Sequence, residues 1–215
     1  MKRFNLTDWL CILIVILSWT LAWTAIGLGQ TVEELHKQVL YPVIRLRVAN
    51  NGGGGSGTII HSSKEKGTFV LTNYHVINEA VKFTEEWDIQ QKKKVQREWR
   101  YTVIAEFFKY RDLSKEIGRE AVDGDVVAYD RSQDIAIVKL RIDEPVPYVA
   151  RFVKPEQADK VFIFQKVYAV GATLGHGPIA TSGTIMSKAD EIESLNYWLS
   201  NAPITFGNSG GAVFL

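Results

Sequence analysis

The chain has 215 residues, 46% hydrophobic and 23% charged. That is enough apolar material for one fair-sized domain or two small ones, and it excludes a disordered or collagen-like polymer. Lys and Arg number 25 against 24 Asp and Glu, a formal net charge of +1, so the positive excess on which nucleic-acid binding depends is missing. One cysteine, Cys11, permits neither an intrachain disulfide nor a cysteine zinc site, and packing must hold the core.

From Trp9 to Gly29 no residue is charged. At about 1.5 Å per residue this run is long enough to cross a hydrocarbon layer roughly 30 Å thick. Lys2 and Arg3 precede it and Glu33 and Glu34 follow, which by the positive-inside rule keeps the first residues cytoplasmic and exports everything after Gln30. Residues 1–30 are therefore expected to be a cytoplasmic tip and a single-pass transmembrane helix. A cleaved signal peptide is the competing reading, but its apolar part usually spans about 7 to 15 residues and ends in small side chains. Here Trp19 and Trp23 interrupt the far end. A buried soluble helix is a third reading, and few such helices are apolar all round. Thr31 and Glu34 have the spacing of a capping box, with Val32, Leu35 and Val39 at helical spacing behind them, which predicts a short juxtamembrane helix over 31–40.

From Tyr41 the period changes. Ile44, Leu46 and Val48 alternate with Arg45 and Arg47, as in a half-buried strand. Asn50 to Gly57 reads as a flexible glycine-rich connection, and Thr58–Ile60 and Thr68–Thr72 as the next two strands. Further strands are predicted at 101–108, 126–129, 135–140, 166–170, 183–186 and 196–204. Many short strands with few helices predict an all-β sandwich or barrel. Residues 82–120 carry ten Lys or Arg and eight Asp or Glu. Lys92, Lys93 and Lys94 near Trp87 and Trp99 could be imagined as a nucleic-acid or lipid patch, but the interleaved acids favour a solvated surface insertion. Pro145, Pro147 and Pro155 mark residues 141–160 as a linker between two halves.

Three local signals carry chemistry. In FVLTNYHVI an apolar strand delivers His75 where the chain turns, although an isolated histidine there is more often structural. In SQDIAIVKL, Asp134 begins an apolar strand and could simply cap it. In FGNSGGAVF, Ser209 lies among Gly207, Gly210 and Gly211, either a plain turn or a backbone open to close approach. Together they form a set whose members need one another. A serine hydroxyl needs a base, the base needs a partner that fixes its tautomer, and a developing oxyanion needs backbone donors. The chain order His, Asp, Ser is that of the chymotrypsin fold, not of subtilisin or the α/β-hydrolases.

With these pieces in place, GSGTII at 55–60, LTNYHVI at 71–77, DIAIVKL at 134–140, TSGTI at 181–185 and GNSGGAV at 207–213, the sequence resembles the trypsin-like serine peptidases of the HtrA (Deg) type. The resemblance implies a chymotrypsin-like double β-barrel with its site between the barrels, endopeptidase activity on exposed or misfolded polypeptide, and often a homo-oligomer. It places a first barrel carrying His and Asp over 41–140, with the charged insertion at about 82–120, and a second carrying Ser over 161–215. By resemblance Ser209 is the nucleophile, His75 the general base and then acid, and Asp134 the orienting carboxylate. The Gly207 and Ser209 N–H groups form the oxyanion hole, and no metal or cofactor is required. Asn208 and the lack of disulfides favour this branch over secreted digestive trypsins. Six residues follow Ser209, where the family continues through further strands, so the second barrel is expected to be incomplete. The family's PDZ domain does not occur in the sequence, and the insertion is longer than the family's. A catalytically silent relative that binds polypeptides or partner proteins stays open as the second reading, and a plain β-barrel adaptor as the third.

Overall fold

The computed structural model describes residues 31–49, 53–113, 115–192 and 195–215. The expected membrane anchor at 9–29 lies outside them, and among the described residues no helix is long and apolar enough to cross a membrane. The chain divides between Leu35 and His36. Before that point stands one turn, α1 (Val32–Leu35), whose predicted capping box is formed: Thr31 N–H donates to Glu34 Oε2 at 2.9 Å and Glu34 N–H to Thr31 Oγ1 at 3.2 Å. The second unit opens with a π-helical turn, His36–Leu40, which buries Val39.

Six antiparallel strands then close a barrel. These are β1 (Val43–Val48), β2 (Gly54–Ser63), β3 (Gly67–Thr72), β6 (Val103–Arg111), β7 (Lys115–Asp130) and β8 (Ile135–Leu140), in spatial order β1-β2-β3-β8-β7-β6. Between β3 and β6 come a single helical turn, α2 (Tyr74–Ile77), and a separate two-stranded ribbon, β4 (Val81–Asp88) and β5 (Lys93–Arg100). The barrel follows from alternation. Ile44, Leu46 and Val48 point inward from β1 and Ala136, Val138 and Leu140 from β8, and all belong to one buried cluster with Ile59, Val70 and Val103. After the turn α3 (Pro155–Ala158), β9 (Lys166–Gly171), β10 (Ile179–Ile192), β11 (Leu195–Ser200) and β12 (Ala212–Phe214) make a four-stranded open sheet in the order β11-β10-β9-β12. A smaller core of Val161, Val167, Ala169, Ile185 and Ala202 lies under it. The fold is all-β, with one closed barrel and one open four-stranded sheet among the described residues.

Three expectations need correction. The glycine-rich run is not simply a flexible connection, because β2 begins at Gly54. Its glycines serve close packing: a Cβ at Gly57 would lie 2.5 Å from Val70 Cγ1 and 2.7 Å from Leu46 Cδ1. The charged stretch 82–120 is not one solvated insertion, since β6 within it is a barrel stave that buries Ala105 and Glu106, and β7, the next stave, begins there at Lys115. The strands expected at 101–108 and 126–129 fall on β6 and β7, of which the first runs on to Arg111 and the second begins at Lys115. What stands apart is the β4–β5 ribbon, joined to the barrel by Arg100 Nη1 donating to the Val126 and Val127 carbonyls at 2.9 Å and by Arg131 over the Phe83 ring at 4.4 Å. The last predicted strand, 196–204, is shorter, ending at Ser200.

Beyond the barrel interior, Glu106 is 3% exposed and answers Arg45 Nη1 at 3.2 Å and Arg47 Nε at 3.1 Å. A carboxylate this buried is tolerable because two guanidinium groups supply donors. At the same barrel face an apolar cavity of about 210 Å³ is lined by Tyr41, Ile59, Phe107, Tyr110 and Val146 among others. The Tyr110 hydroxyl is buried with no hydrogen-bond partner among the described residues, and burial, with smaller contributions from Glu116 and Tyr41, pushes its pKa up to about 12.

An unfolded tyrosine ionises near 10, so the unfolded chain loses this proton first. The stability tied to neutral Tyr110 is complete below about pH 10 and is lost as pH rises to about 12. Tyr110→Phe removes both the alkaline loss and the cost of an unpaired hydroxyl, about 1–3 kcal/mol. Thermal melts at neutral pH and at pH 11 should show the variant at least as stable as the parent at the first and clearly more stable at the second.

Candidate active site

His75 lies in α2, the single turn that follows β3, and Asp134 in the turn between β7 and β8. Cross-strand pairing of Thr72 with Ala136 brings these two segments together. His75 Nδ1 lies 2.6 Å from Asp134 Oδ2, and the His75 backbone N–H donates to Asp134 Oδ1 at 2.8 Å. Both carboxylate oxygens are thus occupied by one residue. Since a carboxylate only accepts, Nδ1 carries a proton, and Nε2 is the ring nitrogen turned away from Asp134. Asp134 reaches this position with φ of +50°, the left-handed region that aspartate tolerates better than most residues. The pair is half open to solvent, with side chains 53% and 42% exposed.

Asn73 stands at the N-cap of α2 yet makes no side-chain cap bond. A capping asparagine would ordinarily accept from an N–H of the first helical turn. Here the carboxamide bridges outward instead. Its Nδ2 donates to the Asp134 carbonyl at 2.9 Å, and its Oδ1 accepts from Gly210 N–H at 2.6 Å. One side chain therefore ties the Asp134 turn and the Ser209 loop to the end of β3.

Ser209 occupies the loop between β11 and β12, where Gly207 and Gly210 have φ of +98° and +82°. Its carbonyl accepts from Ser56 N–H at 2.7 Å, and Thr58 Oγ1 donates to the Gly210 carbonyl at 3.3 Å. The loop sits so close to β2 that a Cβ at Gly55 would lie 2.7 Å from the Ser209 carbonyl and 2.8 Å from Val76 Cγ2. Among the described residues the Gly207 and Ser209 N–H groups have no acceptor within the chain, and Ser209 Oγ makes no hydrogen bond to His75. The three residues named from sequence thus divide. His75 and Asp134 are in direct contact, and Ser209 is joined to them through Asn73 and β2. Beside Ser209 a cavity of about 280 Å³ is lined by Asn73, Val170, Ile204, Ala212 and Val213 among others, with no charged side chain. Asn208 Oδ1 is buried near it without a hydrogen-bond partner among the described residues.

Residues 55–215 match the family described as the trypsin-like peptidase domain. The chain belongs to that family. It is 30% identical over 165 residues to the periplasmic pH-dependent serine endoprotease DegQ of Escherichia coli (strain K12), a match covering 75% of this chain and 28% of that protein. The chain therefore spans well under a third of the length of this curated relative. Among solved structures, Deg5 superimposes with a TM-score of 0.57 at 21% identity, covering 85% of this chain and 78% of that one. The serine endoprotease from Yersinia pestis gives 0.57 at 20% identity over 87% and 54%. The MamO protease domain from Magnetospirillum magneticum gives 0.54 at 15% over 83% and 80%. At these identities the structures bear on the fold alone. The likeness to DegQ agrees with the HtrA (Deg) type that the five motifs resemble.

Asn73 lay inside one of those motifs without a role, and Ser56 inside a run read as a flexible connection. The sequence signal for both was present, a polar residue among apolar and glycine neighbours. The bridge carries a direct consequence. Asn73→Ala leaves a backbone N–H and a carbonyl unpaired, costing about 1–3 kcal/mol. Thermal unfolding should register that loss, and hydrogen exchange should show the Gly210 amide losing protection in the variant while amides of β8 keep theirs.

Proposed function

We propose that this chain is a membrane-anchored serine endopeptidase whose catalytic body lies outside the cytoplasm and cleaves exposed or misfolded polypeptides. The observation that carries the reading is the His75–Asp134 pair at 2.6 Å, with the Ser209 loop bonded to the same strand end through Asn73. The periplasmic location in the name of DegQ and the uncharged run 9–29 support the anchored, exported arrangement. Exposed Phe162 and Phe164 offer apolar surface for the homo-oligomer that goes with it.

In this reading Ser209 Oγ attacks the scissile carbonyl carbon while His75 Nε2 takes the hydroxyl proton. A C–O bond forms, the carbonyl electron pair moves onto oxygen, and the Gly207 and Ser209 N–H groups stabilise that charge. Collapse breaks the C–N bond, and His75 returns the proton to the leaving amine. Water, deprotonated by His75, then attacks the acyl-enzyme and frees the acid and Ser209. Asp134 takes no proton; it holds the imidazole tautomer and stabilises the imidazolium. The uncharged cavity beside Ser209 suits an uncharged substrate side chain.

A silent polypeptide-binding relative is the second reading, favoured by the missing Ser209–His75 hydrogen bond among the described residues. Unliganded peptidases often hold this contact long, tightening it only with substrate. A fluorophosphonate probe separates the two readings, because it phosphonylates only an activated serine. The full chain should label, Ser209→Ala should not, and Asp134→Asn should label on the order of 10⁴-fold more slowly. No labelling of a folded parent chain would favour the silent reading.

A further inference from the structure

Ser56 lies in β2 and is fully buried, and every polar group it has is engaged. Its carbonyl accepts from Thr72 Oγ1 at 2.7 Å, within the barrel. The other three bonds leave the barrel. Its N–H donates to the Ser209 carbonyl at 2.7 Å, and its hydroxyl donates to the Gly207 carbonyl at 2.6 Å while accepting from Ala172 N–H at 2.7 Å. The hydroxyl is therefore a relay between the end of β9 and the loop that carries Ser209. There is little room around it, since a Cβ at Gly171 would come within 2.9 Å of Oγ.

The two neighbouring carbonyls of that loop are held as well. Leu174 N–H donates to the Phe206 carbonyl at 3.0 Å and Gly211 N–H to the Asn208 carbonyl at 2.8 Å. Four consecutive carbonyls, 206 to 209, thus have fixed directions. In a trans peptide the following N–H points opposite to the carbonyl, and no described bond is cis. The Asn208 N–H, opposite the Gly207 carbonyl, goes to the Thr205 carbonyl at 3.1 Å, and the Gly210 N–H, opposite the Ser209 carbonyl, goes to Asn73. The Gly207 and Ser209 N–H groups, opposite the Phe206 and Asn208 carbonyls, are left without an acceptor among the described residues. Of the backbone groups from the Phe206 carbonyl to the Gly210 N–H, the two without a partner among the described residues are the two that an oxyanion needs.

We propose that Ser56 is a positioning residue for the oxyanion hole: its hydroxyl fixes the Gly207 carbonyl between two sheets and so holds the Gly207 and Ser209 N–H groups aimed at one point before substrate arrives. This rests on the peptidase reading above. Without the hydroxyl, the Gly207–Asn208 peptide loses its bond to Ser56 and keeps, among the described residues, the Asn208 N–H bond to the Thr205 carbonyl within the same loop, so Gly207, at φ of +98° with no side chain, resists rotation less. The ground-state contacts of substrate are little affected, because the donors matter most where charge develops.

The test uses the full 215-residue chain purified in mild detergent, as the parent, Ser56→Ala and Thr68→Val. Thr68 is equally buried and loses a comparable hydroxyl bond, to Ser62 at 2.6 Å, without touching the serine loop. Circular dichroism and thermal melting establish folding. Kinetics on a fluorogenic peptide, and inhibition by a peptidyl boronate whose tetrahedral oxygen occupies the oxyanion position, supply the readout. Ser56→Ala should lower kcat by about 10- to 100-fold with KM within about twofold. Boronate affinity should fall by a similar factor, whereas Thr68→Val keeps both even if it melts as early. Unchanged kcat and boronate affinity in a folded Ser56→Ala, or equal losses in Thr68→Val, would overturn the inference while the peptidase reading stands. Failure of the folded parent chain to react with a fluorophosphonate would overturn that reading and this inference with it. If Ser56→Ala does not fold, Ser56→Cys, which keeps a weak donor at the same place, is read by the same two outcomes.

Discussion

The Asn73 carboxamide is the point through which the candidate site is assembled. It begins at the end of β3, immediately before the histidine turn, and reaches both the Asp134 carbonyl and the Gly210 N–H. Those partners come from the β7–β8 turn and from the loop before β12, segments that share no strand pairing with each other. With one cysteine in the chain, no intrachain disulfide can fix their separation, so the task falls to buried hydrogen bonds, whose loss on either side leaves a backbone group unpaired. Ser56, Thr58 and Thr72 extend the same arrangement along β2 and β3. The structure thereby concentrates its polar bonds at one place between barrel and sheet, and that place is where His75, Asp134 and Ser209 lie.

Glycine makes this density of contact possible. Where β2 passes the serine loop, Gly55 admits the Ser209 carbonyl, and at Gly210 a Cβ would lie 2.2 Å from Thr72 Oγ1. Side chains at these positions would hold the two sheets apart by more than a hydrogen bond can span. The same close approach explains why Gly207 and Gly210 adopt positive φ in a loop whose carbonyls are all engaged. Rigidity at the loop suits a site in which donors must be aimed before charge develops.

Much of this could be read from the sequence, and the failures share a physical cause. Alternation in β1 and β8 was unambiguous, because Ile44, Leu46 and Val48 and then Ala136, Val138 and Leu140 face one core. The motif order named His75, Asp134 and Ser209, and the structure brings the first two into contact. Strands were expected at 101–108 and 126–129, on β6 and β7, but the charged stretch around them read as surface because Glu106, a charged residue, is buried there between Arg45 and Arg47, and no local rule predicts which charge will be paired across strands. The glycine run misled for a related reason: glycines chosen for close packing look, in sequence, like glycines chosen for flexibility. Asn73 and Ser56 gave no signal of their long-range partners, which are more than 130 residues away in the chain for Gly210 and more than 150 for Gly207.

The central claim, that Ser209, His75 and the two loop N–H groups converge on one reacting carbon, is tested most directly by a crystal structure of the chain after reaction with a fluorophosphonate. The account predicts a phosphonyl group on Ser209 Oγ with one oxygen about 3 Å from both the Gly207 and Ser209 nitrogens and His75 Nε2 within hydrogen-bond reach of Oγ. An adduct whose oxygens all point away from those two nitrogens, or a folded protein that forms no adduct at Ser209, would contradict it.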